Sequence, residues 1–444
     1  MPTFDPASPD APLDLLGVGF GPANLALAIA LREHNDHPAA HPVTALFAES
    51  QQCFGWHRGM LIEGATMQVS FLKDLATMRR PTSEYGFLSY LHERGRLADF
   101  INHKTMFPTR VEFHDYLEWA AARFGSQVRY GTRVETLRPV RADDGTIVAV
   151  DALTSDGTLV GRARNVVLGM GLRPYLPEDV RTGERIWHTS ELLGRLQALP
   201  SLRHRRFVVV GAGQSAAEAV EHLHRSYPEA EVHAVFSRYG YSHADDSAFA
   251  NRIFDPGAVD DFYDAPEHVK QRLLAYHGNT NYSVVDLDLI EELYRRVYQE
   301  KVSGSARLHI LNTSHVTAHE ELPDGVRVEV DTAGSSTRTS LPCDALVYAT
   351  GYRPADPTAL LGELAPLCET DEPGRLKVAR DYRVLTSAEL RCGIYLQGGT
   401  EHTHGISSSL LSNSAIRAGE ILDSVMRHRQ SGTAEPARSH LATR

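Results

Sequence analysis

Apolar positions along the chain follow two periods, and the switch from one to the other recurs twice in the same form. The run "LDLLGV" (13–18) is short, apolar and closed by glycines, and "ANLALAIALREH" (23–34) behind it carries a helical stripe. A further apolar run, "VTALFAES" (43–50), ends on the acid Glu49. The pattern returns at "RRFVVV" (205–210), again followed by glycines, an amphipathic helix "QSAAEAVEHLHRSYP" (214–228) and a strand "AEVHAVFSRYG" (230–240). Two more buried-type strands, "ARNVVLGMGLRP" and "CDALVYATGYRP", stop on small residues. Alternating positions broken by Asp-Gly and Ala-Gly in "HEELPDGVRVEVDTAGSSTRTSL" predict an antiparallel meander. Strands alternating with helices predict an α/β fold built from two Rossmann-like units.

The glycine turns carry the first chemistry. Gly17-x-Gly19 opens a dinucleotide-binding turn, but its third glycine would fall at position 22, which is Pro22. The turn survives if Gly21 ends it and Pro22 is the first helical residue, where a missing N–H costs nothing. The backbone N–H groups that face a pyrophosphate are then intact, and Glu49 at the next strand's end suits ribose hydroxyls. The second turn reads Gly211-x-Gly213 with Ala216 in the third place, small enough for close helix–strand packing. Its following strand ends in Ser237 and Arg238 with no acid, which favours a 2′-phosphate over a free ribose. The first site therefore prefers a nucleotide with free hydroxyls and the second NADPH. With the strands at Gly169–Gly171 and Ala349–Gly351 expected to return the chain to the first domain, this predicts an FAD/NADPH oxidoreductase.

Composition narrows the partners. The 444 residues allow two or three cored domains, and 42% hydrophobic with 23% charged residues is an ordinary globular balance. A net charge of -11 gives no basic face for nucleic acid. Leu15–Leu31 is uncharged, but lacks a basic leader and is broken by glycine and proline, so neither a signal peptide nor a membrane span is expected. Four scattered cysteines without C-x-x-C give neither a zinc pattern nor a disulfide scaffold, and point to the cytoplasm. His402 and His404, and the group His243, Asp245 and Asp246, lack full ligand sets, so no metal is expected. No G-x-S-x-G is present for a hydrolase. The expected organisation is a tail (1–12), the first part of the FAD domain (13–203), an NADPH domain (204–338) with a substrate-contacting segment at about 245–300, the second part of the FAD domain (339–430), and a tail (431–444).

Three segments remain dense in unusual residues: "CFGWHRGMLIEGATMQVSFLKDLATMRRPTSEYGFLSYL", "SHADDSAFANRIFDP" and "NTNYSVVDLDLIEELY". Their motifs W-H-x-G-M, F-L-K-D-L, D-D-S-x-F-x-N and N-Y-S-V-V join G-x-G-x-x-P, A-T-G-Y and H-G-I-S-S-S-L-L-S. With these the chain resembles the flavin-dependent N-hydroxylating monooxygenases of siderophore biosynthesis, from Leu13 to about Met426. The resemblance implies two Rossmann-like domains for FAD and NADPH with a small, mostly helical substrate-binding region. It implies that NADPH reduces FAD, that oxygen adds to the flavin, and that the flavin hydroperoxide hydroxylates a primary amine while NADP⁺ stays bound. No protein nucleophile is needed, because the flavin supplies the reactive oxygen.

The resemblance also implies roles for residues. Lys73, in apolar "VSFLKDLA", matches the position that pairs with the α-carboxylate of ornithine; read by itself it is a snorkelling surface lysine. Asn251 and Asn281 suit an amine that must lose its proton (pKa about 10.4) before it can react, since amides bond it without fixing its charge. Ser412 completes the amino-acid pocket. Gly17, Gly19, Gly21, Pro22, Glu49, Trp56, His57, Met67, Gln68 and the loop Gly405–Ser409 fall to FAD, although Trp56 reads equally well as a core aromatic. Gly211, Gly213, Gln214, Ser215, Ser237 and Arg238 fall to NADPH. In fungal and pseudomonad relatives an arginine stands where this chain has Ser237, which leaves Arg238 as the phosphate partner. The expected activity is hydroxylation of L-ornithine at N5, for a siderophore or related hydroxamate, by a homo-oligomer that is a tetramer in the family. The alternatives are a lysine or diamine hydroxylase and a non-catalytic flavin-nucleotide sensor.

Overall fold

The computed structural model describes residues 11–199, 206–334 and 338–430. Residues 1–10 and 431–444 of the expected tails, and the boundary expected at 203/204, lie outside the described residues. Two five-stranded parallel sheets organise the rest. The first runs in the order Gly393–Leu396, Asn165–Leu168, Leu15–Val18, Ala45–Ala48, Val128–Arg129. Leu15–Val18 is buried on both faces, which is why it reads as a continuous apolar run rather than an alternation. The helix Pro22–Asn35 follows with Gly21 as its N-cap and Pro22 in its first turn. The helix Ser414–Gln430 packs along it.

The second sheet runs Leu308–Leu311, Glu231–Val235, Arg206–Val210, Ala345–Tyr348, Ile186–His188. Each parallel sheet is accompanied by a three-stranded antiparallel meander. Thr136–Arg141, Ile147–Leu153 and Leu159–Ala163 precede the first sheet's strand Asn165–Leu168. Ser314–Leu322, Gly325–Thr332 and Thr339–Cys343 precede the second sheet's strand Ala345–Tyr348, where the sequence pattern placed a meander.

One expectation is corrected here. The strand in "CDALVYATGYRP" does not return the chain to the first sheet; Ala345–Tyr348 pairs with Arg206–Val210 and Ile186–His188 inside the second. Ile186–His188, expected in the first domain, is likewise an edge of the second sheet. Both crossings are made by the short antiparallel pair Leu172–Pro174 and Tyr352–Pro354, and Gly393–Leu396 completes the first sheet. Buried strands of this kind look alike in sequence whichever sheet they join. A helical segment, Pro256–Asp264, Glu267–His277 and Leu287–Ser303, is inserted in sequence between the second sheet's strands Glu231–Val235 and Leu308–Leu311. No helix among the described residues is long and apolar enough to cross a membrane.

Candidate active site

The carboxyl ends of both parallel sheets open on one cavity of about 2300 Å³. Such edges are where open α/β sheets bind ligands, and the volume exceeds the ~300–1,000 Å³ of a single small-molecule site.

The first glycine turn forms one end. Gly19 has φ +82°, and a Cβ there would stand 2.4 Å from the Gly169 carbonyl. Asn24 Nδ2 donates to the carbonyls of Val18 and Gly19 and holds the turn open. Gly21 differs: its φ is -80° and a Cβ would meet nothing within 4 Å. Gly21 and Pro22 line the cavity, so that open space belongs to a ligand at the helix N-terminus. Gly17 is packed behind the turn, where an added Cβ would collide with the Phe47 ring. Glu49 is buried at the end of its strand; its Oε2 accepts from Phe20 N (2.7 Å) and its Oε1 from Gln51 N (2.8 Å). These features fit the FAD nucleotide.

Trp56, His57, Met67 and Gln68 form the adjoining wall. His57 is a left-handed non-glycine residue (φ 50°), its ring edge-on to Trp56 and Tyr352. Its surface is open to the cavity, and the walls around it, with the Arg110 charge adding to their effect, lower its pKa. Ser409 also lines the cavity and its hydroxyl accepts from Gly399 N. Gly405, expected beside the flavin, does not line the cavity; it takes φ +77° and faces the Phe262 ring.

On the second unit, Gln214 and Ser215 begin the helix Gln214–Ser226 and line the cavity. Gly211 (φ +140°) and Gly213 form the turn beneath them without lining it, and a Cβ on Gly211 would strike the Ala349 carbonyl. Ser237 and Arg238 are exposed and also off the cavity wall. Arg238 Nη1 donates to the Ser283 carbonyl (2.8 Å), and Ser283 packs against Gly213, so this cation is held beside the second turn.

Lys73, Asn251, Asn281 and Ser412 reach the same cavity from four separate segments. Lys73 Nζ sits 5.9 Å from the Phe254 ring centre. Its neighbour Asp74 is committed elsewhere, accepting from the N–H groups of Ala76, Thr77 and Phe87. Asn251 Nδ2 donates to the Asp246 carbonyl, which leaves its amide oxygen for a donor.

Sequence reasoning missed the residues that join the two units. Arg110 makes a two-pronged ion pair with Glu218 (2.8 and 2.6 Å) and also donates to the Met60 carbonyl. Asp286 Oδ2 accepts from both Gln68 (2.5 Å) and Gln214 (2.9 Å), tying the Gln68 wall to the helix that starts at Gln214. Burial raises its pKa. Arg417, at the start of the last helix, also lines the cavity. The available signal was Glu218, an acid set among the buried positions Ala216, Ala217, Ala219 and Val220.

His402 and His404 are hydrogen-bonded side chains: His402 Nε2 to the Leu376 carbonyl, His404 Nε2 to that of Arg380. Metal-type donors do cluster at Glu231, His233 and His309, away from the cavity. There the two imidazoles stack face to face at 4.5 Å, setting their in-plane lone pairs side by side, and Arg206 occupies the carboxylate.

Two dinucleotide-type strand–turn–helix units facing one cavity, with an acid after the first and none after the second, define a flavin- and nicotinamide-dependent oxidoreductase. Comparison with known proteins gives the family: the model for L-lysine 6-monooxygenase/L-ornithine 5-monooxygenase matches residues 11–354, and the chain belongs to it. An L-ornithine N(5)-monooxygenase of Burkholderia cepacia is 43% identical over 403 residues, 88% of this chain and 89% of that protein. The ornithine N-hydroxylase of Kutzneria sp. 744, solved with reduced FAD, NADP⁺ and L-ornithine, is 49% identical with a TM-score of 0.89. That match covers 94% of this chain and all of the other. An L-lysine 6-monooxygenase from Pseudomonas syringae is 34% identical with a TM-score of 0.82, over 94% of this chain and 99% of the other. FAD and NADPH are the cofactors of this fold and cavity.

Proposed function

We propose that the chain is an NADPH- and FAD-dependent monooxygenase that hydroxylates the N5 amine of L-ornithine, supplying a hydroxylamine for siderophore or related hydroxamate synthesis. One observation carries the substrate: Lys73, Asn251, Asn281 and Ser412 share a cavity with the FAD turn. Lys73 is half-buried on the cavity wall and forms no ion pair among the described residues, so the α-carboxylate of an amino acid is the counter-ion it would take. The two asparagines offer the distal amine a hydrogen bond without a fixed charge, so it can react as the neutral base. FAD, once reduced by NADPH, supplies the activated oxygen. The chain binds and orients, with Gly21 and Pro22 receiving the FAD pyrophosphate and Glu49 its ribose. Gln214, Ser215 and the cation Arg238 belong to NADPH. Gln68, Asp286 and Gln214 hold the two nucleotide sites in register.

The test is hydroxylamine formed per NADPH consumed with L-ornithine, L-lysine and putrescine, in the native protein and in Lys73→Ala. Ornithine alone should be hydroxylated, and at subsaturating ornithine the variant should lose most of that product while still oxidising NADPH. Equal hydroxylation of putrescine would overturn the carboxylate anchor, and no NADPH oxidation would leave only a nucleotide-binding protein.

The same reading places the enzyme in the cytoplasm, in keeping with four free cysteines, one of them exposed; cell fractionation checks it. It also makes the enzyme a homo-oligomer. Tyr294, Tyr298 and Val302 recur every four residues on the helix Leu287–Ser303 and are 74%, 61% and 72% exposed, an apolar stripe suited to a second copy. Sedimentation should show Tyr298→Glu to be smaller than the native species, and equal sedimentation would remove the stripe from the interface.

A further inference from the structure

Arg417 is a buried cation whose hydrogen bonds within the fold leave its charge unbalanced. It is 2% exposed, stands in the first turn of the helix Ser414–Gln430 and lines the cavity. All its hydrogen-bond acceptors are neutral: Nε donates to Gln397 Oε1 (3.1 Å), Nη1 to the Ser408 carbonyl and Nη2 to Ser414 Oγ (3.3 Å). Glu420, one turn along, is engaged by Arg380 instead (2.9 and 3.1 Å). The Tyr382 ring lies 6.0 Å from its guanidinium, but no carboxylate forms an ion pair with Arg417 among the described residues, and a buried charge without a counter-ion is expensive. Burial lowers its pKa, yet a guanidinium stays protonated. The N-terminus of its own helix adds partial positive charge at the same place.

Its surroundings belong to the FAD end, where a pyrophosphate would be anionic in both redox states and the ring system only when reduced. Gln397 donates through Nε2 to the Ala23 carbonyl, in the first turn of the helix that begins at Pro22. Arg417 therefore belongs to the FAD end of the cavity. Hydride transfer from NADPH adds two electrons and one proton to FAD and leaves NADP⁺, so the ring system goes from neutral to one negative charge.

Resting on the cofactor assignment, we infer that Arg417 is the counter-charge of reduced FAD. It binds the reduced, anionic cofactor more tightly than the oxidised one and so raises the cofactor's reduction potential. It acts as a tuning residue on the cofactor, without taking or giving a proton.

The test is the midpoint potential of protein-bound FAD, read against a reference dye, in the native protein, Arg417→Gln, Arg417→Lys and Ser414→Asp. Arg417→Gln keeps a hydrogen-bonding side chain and loses the charge. Ser414→Asp keeps the arginine and places a carboxylate beside it, so it decides the matter if the glutamine variant fails to hold FAD. Both should favour reduced over oxidised FAD about tenfold less than the native protein, a fall of about 30 mV for a two-electron couple, while Arg417→Lys stays close to native. A merely structural arginine would lower affinity for both redox states equally. Native potentials in the FAD-loaded Gln and Asp variants would overturn the inference. Because the measurement needs only bound FAD, a protein that hydroxylates no amine would refute the substrate assignment and leave this test intact.

Discussion

Gly17, Gly19 and Gly21 belong to one turn, yet each would respond differently to an added methyl group. At Gly17 it would enter the Phe47 ring, and at Gly19 it would strike a carbonyl from a left-handed backbone. At Gly21 it would stand in cavity space. Gly19→Ala should therefore lower the melting temperature of the FAD-free protein. Gly21→Ala should melt as the native protein does but bind FAD more weakly by titration. Equal FAD affinity in Gly21→Ala would take the pyrophosphate away from this turn. Lys73→Ala should raise KM for ornithine about 10- to 100-fold, the ~1.5–3 kcal/mol of a charge-assisted hydrogen bond, and leave KM for NADPH unchanged. What was legible at this scale was whatever local sequence could state: a glycine turn, a proline in a helix's first turn, a lysine among apolar residues. Arg110, Glu218 and Arg417 were not legible, because their meaning lies in partners far along the chain or in having no charged partner.

The elements tell a similar story. Apolar runs before glycines became parallel strands, and the Asp-Gly and Ala-Gly signals became the meander. Which sheet each strand joins was not legible, and Ala345–Tyr348 went to the other one. A buried strand carries no mark of its neighbours, since pairing is made by backbone groups common to every residue. The joint between the units rests on the ion pair from the helix Arg110–Ala121 to the helix Gln214–Ser226. Its side chains are 12% and 4% exposed, so Glu218→Ala would strand a largely buried guanidinium. Denaturant unfolding should show a loss of about 3–5 kcal/mol. A loss below about 1 kcal/mol, the range of a surface pair, would mean the joint is held elsewhere.

At the scale of the whole molecule, burial holds several histidines neutral. His233 is lowered to about 4 and His404 to about 3, both with burial as the leading cause. In the unfolded chain each returns to about 6.5. Below that pH the unfolded state binds more protons, so stability is full above about 6.5 and is lost as pH falls toward 4. Carboxylates act in the same direction, so the discriminating comparison is a variant. His233→Phe should flatten the fall in melting temperature between pH 6.5 and 4.5; its Nδ1 has no partner to lose, and its Nε2 loses a 3.3 Å contact with Glu231. An unchanged slope would mean that His233 titrates normally. The central claim is that one cavity joins two nucleotides to an amino acid held by its carboxylate. The measurement that tests it most directly is the yield of hydroxylated amine per NADPH with L-ornithine against putrescine, in native protein and Lys73→Ala. Product is expected from ornithine alone, and at subsaturating ornithine it should fall about 10- to 100-fold in the variant while NADPH is still consumed. Equal yields from both amines, or a variant that hydroxylates ornithine as the native protein does, would contradict it.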